Sequence, residues 1–175
     1  MKTSLFMATS LNGMIATKNG DENFLSDINW QSFSELVKKS GCFIVGRKTY
    51  EAVQKWTDFN FNNLEAKLKI VVSSDQDLEL SSTFLLASSP KEALEKAEAL
   101  NFENIILAGG SALNSAFMKE NLIDEIILNF EPTIIGNGVP LFAEDDFERR
   151  LTLVEAVKIS AEILQVRYLV DGRME

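Results

Sequence analysis

Three short stretches of this chain carry groups suited to chemistry. The first is Ile105-Ile106-Leu107-Ala108-Gly109-Gly110-Ser111-Ala112-Leu113, an apolar run ending in paired glycines and opening into a helix-like segment. Glycines there let backbone amides approach a ligand unobstructed, and the helix start adds unpaired N–H groups and partial positive charge. Both favour a phosphate. The second, Gly46-Arg47-Lys48-Thr49, places a glycine, two cations and a hydroxyl at another helix start. Arginine there can grip two phosphate oxygens at once. The third, Ser73-Ser74, offers two hydroxyls at a strand end, although for this pair alone a simple polar terminus is favoured. Gly136-Asn137-Gly138, between Pro132 and Pro140, reads as an ordinary turn rather than a ligand loop.

What is missing narrows the chemistry further. The chain has no histidine, which removes Ser–His and Cys–His pairs, imidazole acid–base catalysis and the common zinc sites; no metal site is expected. The single cysteine, Cys42, lies in the apolar run Cys42-Phe43-Ile44-Val45 and reads as a buried structural thiol rather than a nucleophile. A net charge of −9 argues against a nucleic-acid surface. No apolar run is long enough to span a bilayer and no signal peptide is evident, so a cytoplasmic location without membrane partners is expected.

These groups need a frame. With 175 residues, 46% of them apolar, the chain reads as one domain over residues 1–175. Strands are expected at residues 5–8, 42–45, 68–72, 104–107 and 126–128, with a turn at Asn12-Gly13. Trp30, Phe33, Leu36 and Val37 share one face of a helix over 30–39, and a short helix carrying Tyr50 and Val53 follows Gly46. Ser89-Pro90-Lys91-Glu92 opens a further helix with a capping box and a proline at its first position. Residues 111–120 form the helix after the paired glycines. Alternation from 151 to 170 predicts antiparallel edge strands, with Leu151, Leu153, Val157 and Ile159 on one side. The pattern is that of an α/β domain with a mixed, mainly parallel sheet. Ligands of such sheets bind beyond the carboxyl ends of the strands, where all three phosphate-suited turns fall. The three-glycine dinucleotide fingerprint and the Gly-Lys-Ser/Thr phosphate loop are both absent, so the expected nucleotide site is of another type.

Residues 7–16, 46–51 and 72–74 and the paired-glycine stretch stand in the order and spacing of the dihydrofolate reductase-like superfamily, which the chain resembles over nearly its whole length. Through Asp124-Glu125-Ile126-Ile127 and residues 132–142 it looks most like the reductase domain of the bacterial riboflavin deaminase-reductase. The resemblance implies a three-layer α/β/α fold and an NADPH-dependent reductase acting on a small molecule. It places Ala8 and Ile15 by the nicotinamide, and Gly46, Arg47, Lys48 and Thr49 at the phosphates. Ser73 and Ser74 fall near the adenosine 2′-phosphate, and Gly109, Gly110, Ser111, Ala112 and Leu113 at the pyrophosphate. It also implies a homodimer.

The departures concern the substrate. Folate reductases carry an acid in the helix before this Gly-Arg turn, where ungapped spacing here gives Trp30. Asp27 is the catalytic candidate if the helix start shifts, although a helix cap is its favoured reading. Riboflavin reductases usually have a basic residue where this chain has Met14 and a glutamate where it has Ala108. Hydride transfer needs a placed acceptor and a proton source, and Asp21, Glu22 and Asp27 are the nearby acids. The leading expectation is a reductase of a small heterocycle or its sugar derivative, closest to 5-amino-6-(5-phosphoribosylamino)uracil reductase. Dihydrofolate reduction and a nucleotide-binding regulatory protein without catalysis are the alternatives.

Overall fold

The apolar runs expected to be buried strands lie side by side in the sheet centre. The computed structural model describes residues 1–57 and 59–172. Strands β1 (Lys2–Ser10), β3 (Cys42–Gly46), β4 (Leu68–Val72), β5 (Leu85–Ala87), β6 (Asn104–Leu107), β7 (Glu125–Glu131), β9 (Leu151–Lys158) and β10 (Leu164–Val170) form one sheet in the order β5-β4-β3-β6-β1-β7-β10-β9. Neighbours from β5 to β7 pair in parallel, while β7–β10 and β10–β9 are antiparallel. A separate ribbon joins β2 (Met14–Thr17) to β8 (Gly138–Pro140). This is the mixed, mainly parallel sheet with an antiparallel edge that the patterning predicts, set in the three-layer α/β frame that the resemblance implies.

Alternate residues of the central strands feed two cores. On one face, Leu5, Ile44, Ile70, Ile105 and Leu107 pack with α3 (Pro90–Ala99) and α4 (Ser111–Lys119). On the other, Phe6, Phe43, Val45, Val71 and Ile106 pack with α1 (Asp27–Ser40) and α2 (Arg47–Val53). Cys42 is fully buried in the first core, and burial pushes its thiol up to about 12, as suits a structural cysteine. No helix among the described residues is long and apolar enough to cross a membrane.

Several boundaries differ from the sequence reading for physical reasons. Helix α1 begins at Asp27, three residues before its apolar stripe, and its N-cap is Ser26, not Asp27. The Ser26 hydroxyl is not free to cap, because it donates to Glu131 Oε1 (2.8 Å), as does the Ser26 N–H (2.9 Å). Helix α3 starts as expected, with Ser89 Oγ accepting from the Glu92 N–H (3.2 Å) and Pro90 in the first turn. Glu92, however, reaches back to the Ser88 N–H (2.7 Å) rather than to Ser89. Strands β2, β5 and β8 are too short to show a period and were not expected. The edge alternation breaks where Arg167 faces Glu155 but Tyr168 faces Leu153. Val154 is therefore an extra residue that puts Val157 on the face opposite Leu153, and Ile159 lies beyond the strand. Gly138 begins β8 as part of an ordinary close strand approach, for a Cβ there would collide with the Ala16 carbonyl.

Candidate active site

The carboxyl ends of β3 and β6 meet through their glycines. The Gly46 N–H donates to the Gly109 carbonyl (2.7 Å), and a Cβ on Gly46 would stand 3.5 Å from that oxygen. Gly109 has φ +75°, a left-handed conformation that suits glycine, and an added Cβ would lie 2.7 Å from Met7 Sδ. The Gly109–Gly110 peptide is cis. A Cβ on Gly110 would lie 2.8 Å from Thr49 Oγ1, so the hydroxyl sits directly against the paired-glycine turn. Ser111 follows as the first residue of α4, and its buried Oγ has no hydrogen-bond partner among the described residues. Ala112 is exposed, while Leu113 turns into the first core.

The other phosphate-suited residues lie along the same end of the sheet. Arg47 opens α2 half-exposed, paired with Glu51 at 3.4 Å, and Lys48 is exposed. Ser73 follows β4, the strand next to β3. It is buried, and its Oγ accepts from the Asp75 N–H (3.0 Å), whereas Ser74 is exposed.

Beside this rim opens a cavity of about 770 Å³ on the α1 face, touched by Thr49 and Gly110. Ala8 and Ile15, both buried, line it together with Ala108 and Trp30. Its aromatic wall was not legible as such. Trp30 packs on Phe59 at 5.3 Å, Phe61 at 6.0 Å and Phe33 at 5.8 Å between ring centres, and Phe6 stacks on Phe33 at 5.9 Å. The crowding of Trp56, Phe59 and Phe61 between a helix and a strand was the one available signal. Buried Lys69 braces this wall by donating to the Phe61 carbonyl (2.8 Å) and the Asn62 carbonyl (2.9 Å). Desolvation lowers its ammonium from the usual lysine range.

Of the three acids considered, Asp27 is exposed at the start of α1 and does not line the cavity; Asp21 and Glu22 do. Burial, reinforced by the charge of Asp21, raises the Glu22 carboxyl to about 7. The floor near the α1 start is held by a buried network. Glu131 Oε1 accepts from Ser26 and from Asn29 Nδ2, Asn129 Nδ2 donates to Asn29 Oδ1 (2.8 Å), and Gln165 Nε2 donates to Asn129 Oδ1 (2.8 Å). Met14, in β2, lies outside the cavity lining.

Sheet order, helix layers and a cavity at the strand ends define the class of protein: a three-layer α/β domain of the kind found in RibD. RibD of Acinetobacter baumannii superposes with TM-score 0.79 at 19% identity, over 97% of this chain and 57% of that one. A Thermotoga maritima diaminohydroxyphosphoribosylaminopyrimidine deaminase/5-amino-6-(5-phosphoribosylamino)uracil reductase does so with TM-score 0.73 at 18% identity, over 97% and 56%. The chain belongs to the RibD C-terminal domain family, which it matches over residues 2–165. Protein YwjB of Bacillus subtilis (strain 168) is 29% identical over 171 residues, covering 96% of this chain and 97% of that protein.

Proposed function

We propose that this protein is an NADPH-dependent reductase of a small heterocycle or its sugar derivative, akin to the uracil reductase activity named for its Thermotoga maritima structural neighbour. The observation that carries this reading is the junction of two zones: Thr49 and Gly110 belong both to the glycine-lined strand ends and to the aromatic cavity. A dinucleotide needs such a junction, with its phosphates on one side and its reactive ring on the other.

The residues present fit that cofactor. The glycine turn leaves the backbone uncovered, and Ser111, at the start of α4, keeps a buried hydroxyl with no partner among the described residues. Gly109, Gly110, Ser111, Ala112 and Leu113 would hold the pyrophosphate, with Gly46, Arg47, Lys48 and Thr49 across from them. Ser73 and Ser74 would stand near the 2′-phosphate, and Ala8 and Ile15 beside the nicotinamide. When bound, NADPH supplies the hydride. The protein's part is to place a flat acceptor against Trp30 and its aromatic neighbours, exclude water and furnish a proton.

Trp30 forms part of the aromatic wall where folate reductases carry their acid, which supports an acceptor other than dihydrofolate. Ala108 in the lining likewise leaves the polar recognition of a riboflavin precursor incomplete. We also propose a single domain acting as a homodimer, supported by the outer strand β9, whose eight residues are all exposed and include Leu151, Leu153, Val154 and Val157. The test of the activity is loss of NADPH absorbance with a panel of pyrimidines and pteridines. Turnover of one of them is expected; NADPH binding without oxidation by any would instead favour the non-catalytic reading.

A further inference from the structure

The cavity has an aromatic side and an acidic side, and the two acids differ in what they are free to do. Asp21 is exposed and engaged with its own loop: its Oδ1 accepts from the Asn23 N–H (2.7 Å) and its Oδ2 from Asn23 Nδ2 (2.9 Å). Glu22 is half-buried and lines the cavity, and its carboxyl has no hydrogen-bond or ion-pair partner among the described residues. A carboxyl withdrawn from water without a donor holds its proton, and burial followed by the Asp21 charge raises Glu22 to about 7. Lys55, exposed, is the remaining ionisable side chain in the described lining. Glu131 lies behind Ser26 and Asn29 and is occupied by them.

We propose that Glu22 faces the acceptor ring and delivers its proton, which makes the substrate a planar heterocycle reduced at a C=N bond. This rests on the reductase reading. The ring carbon gains the hydride from the reduced nicotinamide, which becomes NADP⁺, and the ring nitrogen gains the proton from the Glu22 carboxyl. The C=N π bond is replaced by one C–H and one N–H bond, and the Glu22 carboxylate recovers a proton from solvent. A flat ring suits the Trp30 wall, and a ring nitrogen is the acceptor that a neutral carboxylic acid can serve.

Both tryptophans of the chain, Trp30 and Trp56, line the cavity, so ring binding is read by quenching of their fluorescence. The probe is pyrimidine, whose ring nitrogens only accept hydrogen bonds and which stays uncharged near neutral pH. Its affinity for the wild-type protein is expected to fall about tenfold as pH rises through 7, the size of one lost hydrogen bond. Glu22→Gln, whose amide donates at every pH, should give a flat profile. Asp21→Asn removes a neighbouring negative charge, so it should keep the fall but move its midpoint lower. NADPH affinity of the same proteins, measured by calorimetry, should be unaffected by Glu22→Gln. Failure of pyrimidine to bind, or a wild-type profile that persists in Glu22→Gln, overturns the role of Glu22 while leaving NADPH binding intact. The predicted profile without any NADPH binding sinks the reductase reading instead, and leaves the ring contact standing.

Discussion

Thr49 and Gly110 join the glycine-lined strand ends to the aromatic cavity, at the rim proposed to take the cofactor. A methyl group on Gly110 would lie 2.8 Å from the Thr49 hydroxyl oxygen, and threonine has few rotamers to retreat into. Gly110→Ala should therefore weaken NADPH binding by about 1–2 kcal/mol through displacement of the turn. Adding Thr49→Ala should restore part of that loss, a coupling that calorimetry on the double-mutant cycle would expose. Additive losses would mean that the two residues do not share a site. At this scale the sequence was informative where the group was a glycine at a strand end. Gly46, Thr49, Gly109 and Gly110 do converge, because strand ends bring such turns together. The favoured reading of Asp27 as a cap missed the neighbouring Ser26, whose hydroxyl is claimed by Glu131 from 105 residues away. No local spacing signals a pairing of that kind.

Elements rather than residues place the cavity. β6 inserts between β3 and β1, so three strand ends adjoin, while α1 with Trp56, Phe59 and Phe61 closes the aromatic side. The long apolar strands were legible because burial on both faces leaves an unbroken apolar run. The short strands β2, β5 and β8 and the bulge at Val154 were not, since each depends on a partner strand. Lys69 is the clearest case of hidden information. It interrupts the apolar strand β4, yet it is buried and its ammonium ties down the Phe61 and Asn62 carbonyls. Lys69→Met should leave those carbonyls without their donor and cost about 1–3 kcal/mol of stability. Denaturant unfolding would register that loss, and tryptophan fluorescence would report a loosened wall around Trp30. Unchanged stability and emission would show that the segment holds itself.

Across the whole molecule, the sheet is covered by helices over its parallel strands but left bare at β9. Leu153 and Val154 are each more than half exposed on that outer strand, and β9 pairs with β10 on one side. Such an edge favours pairing with a second copy. Sedimentation should give twice the 19.5 kDa chain mass for the native protein and a single chain mass for Leu153→Asp combined with Val154→Asp. A native monomer would remove the homodimer from the proposal without touching the cavity. Whether the glycine-lined strand ends hold NADPH is decided by calorimetric titration of NADPH into the native protein and into Arg47→Ala. Saturable binding to the native protein is expected, weakened by about 1–3 kcal/mol when the charged phosphate contact of Arg47 is removed. No binding to the native protein, or equal affinity in the two proteins, would contradict that placement.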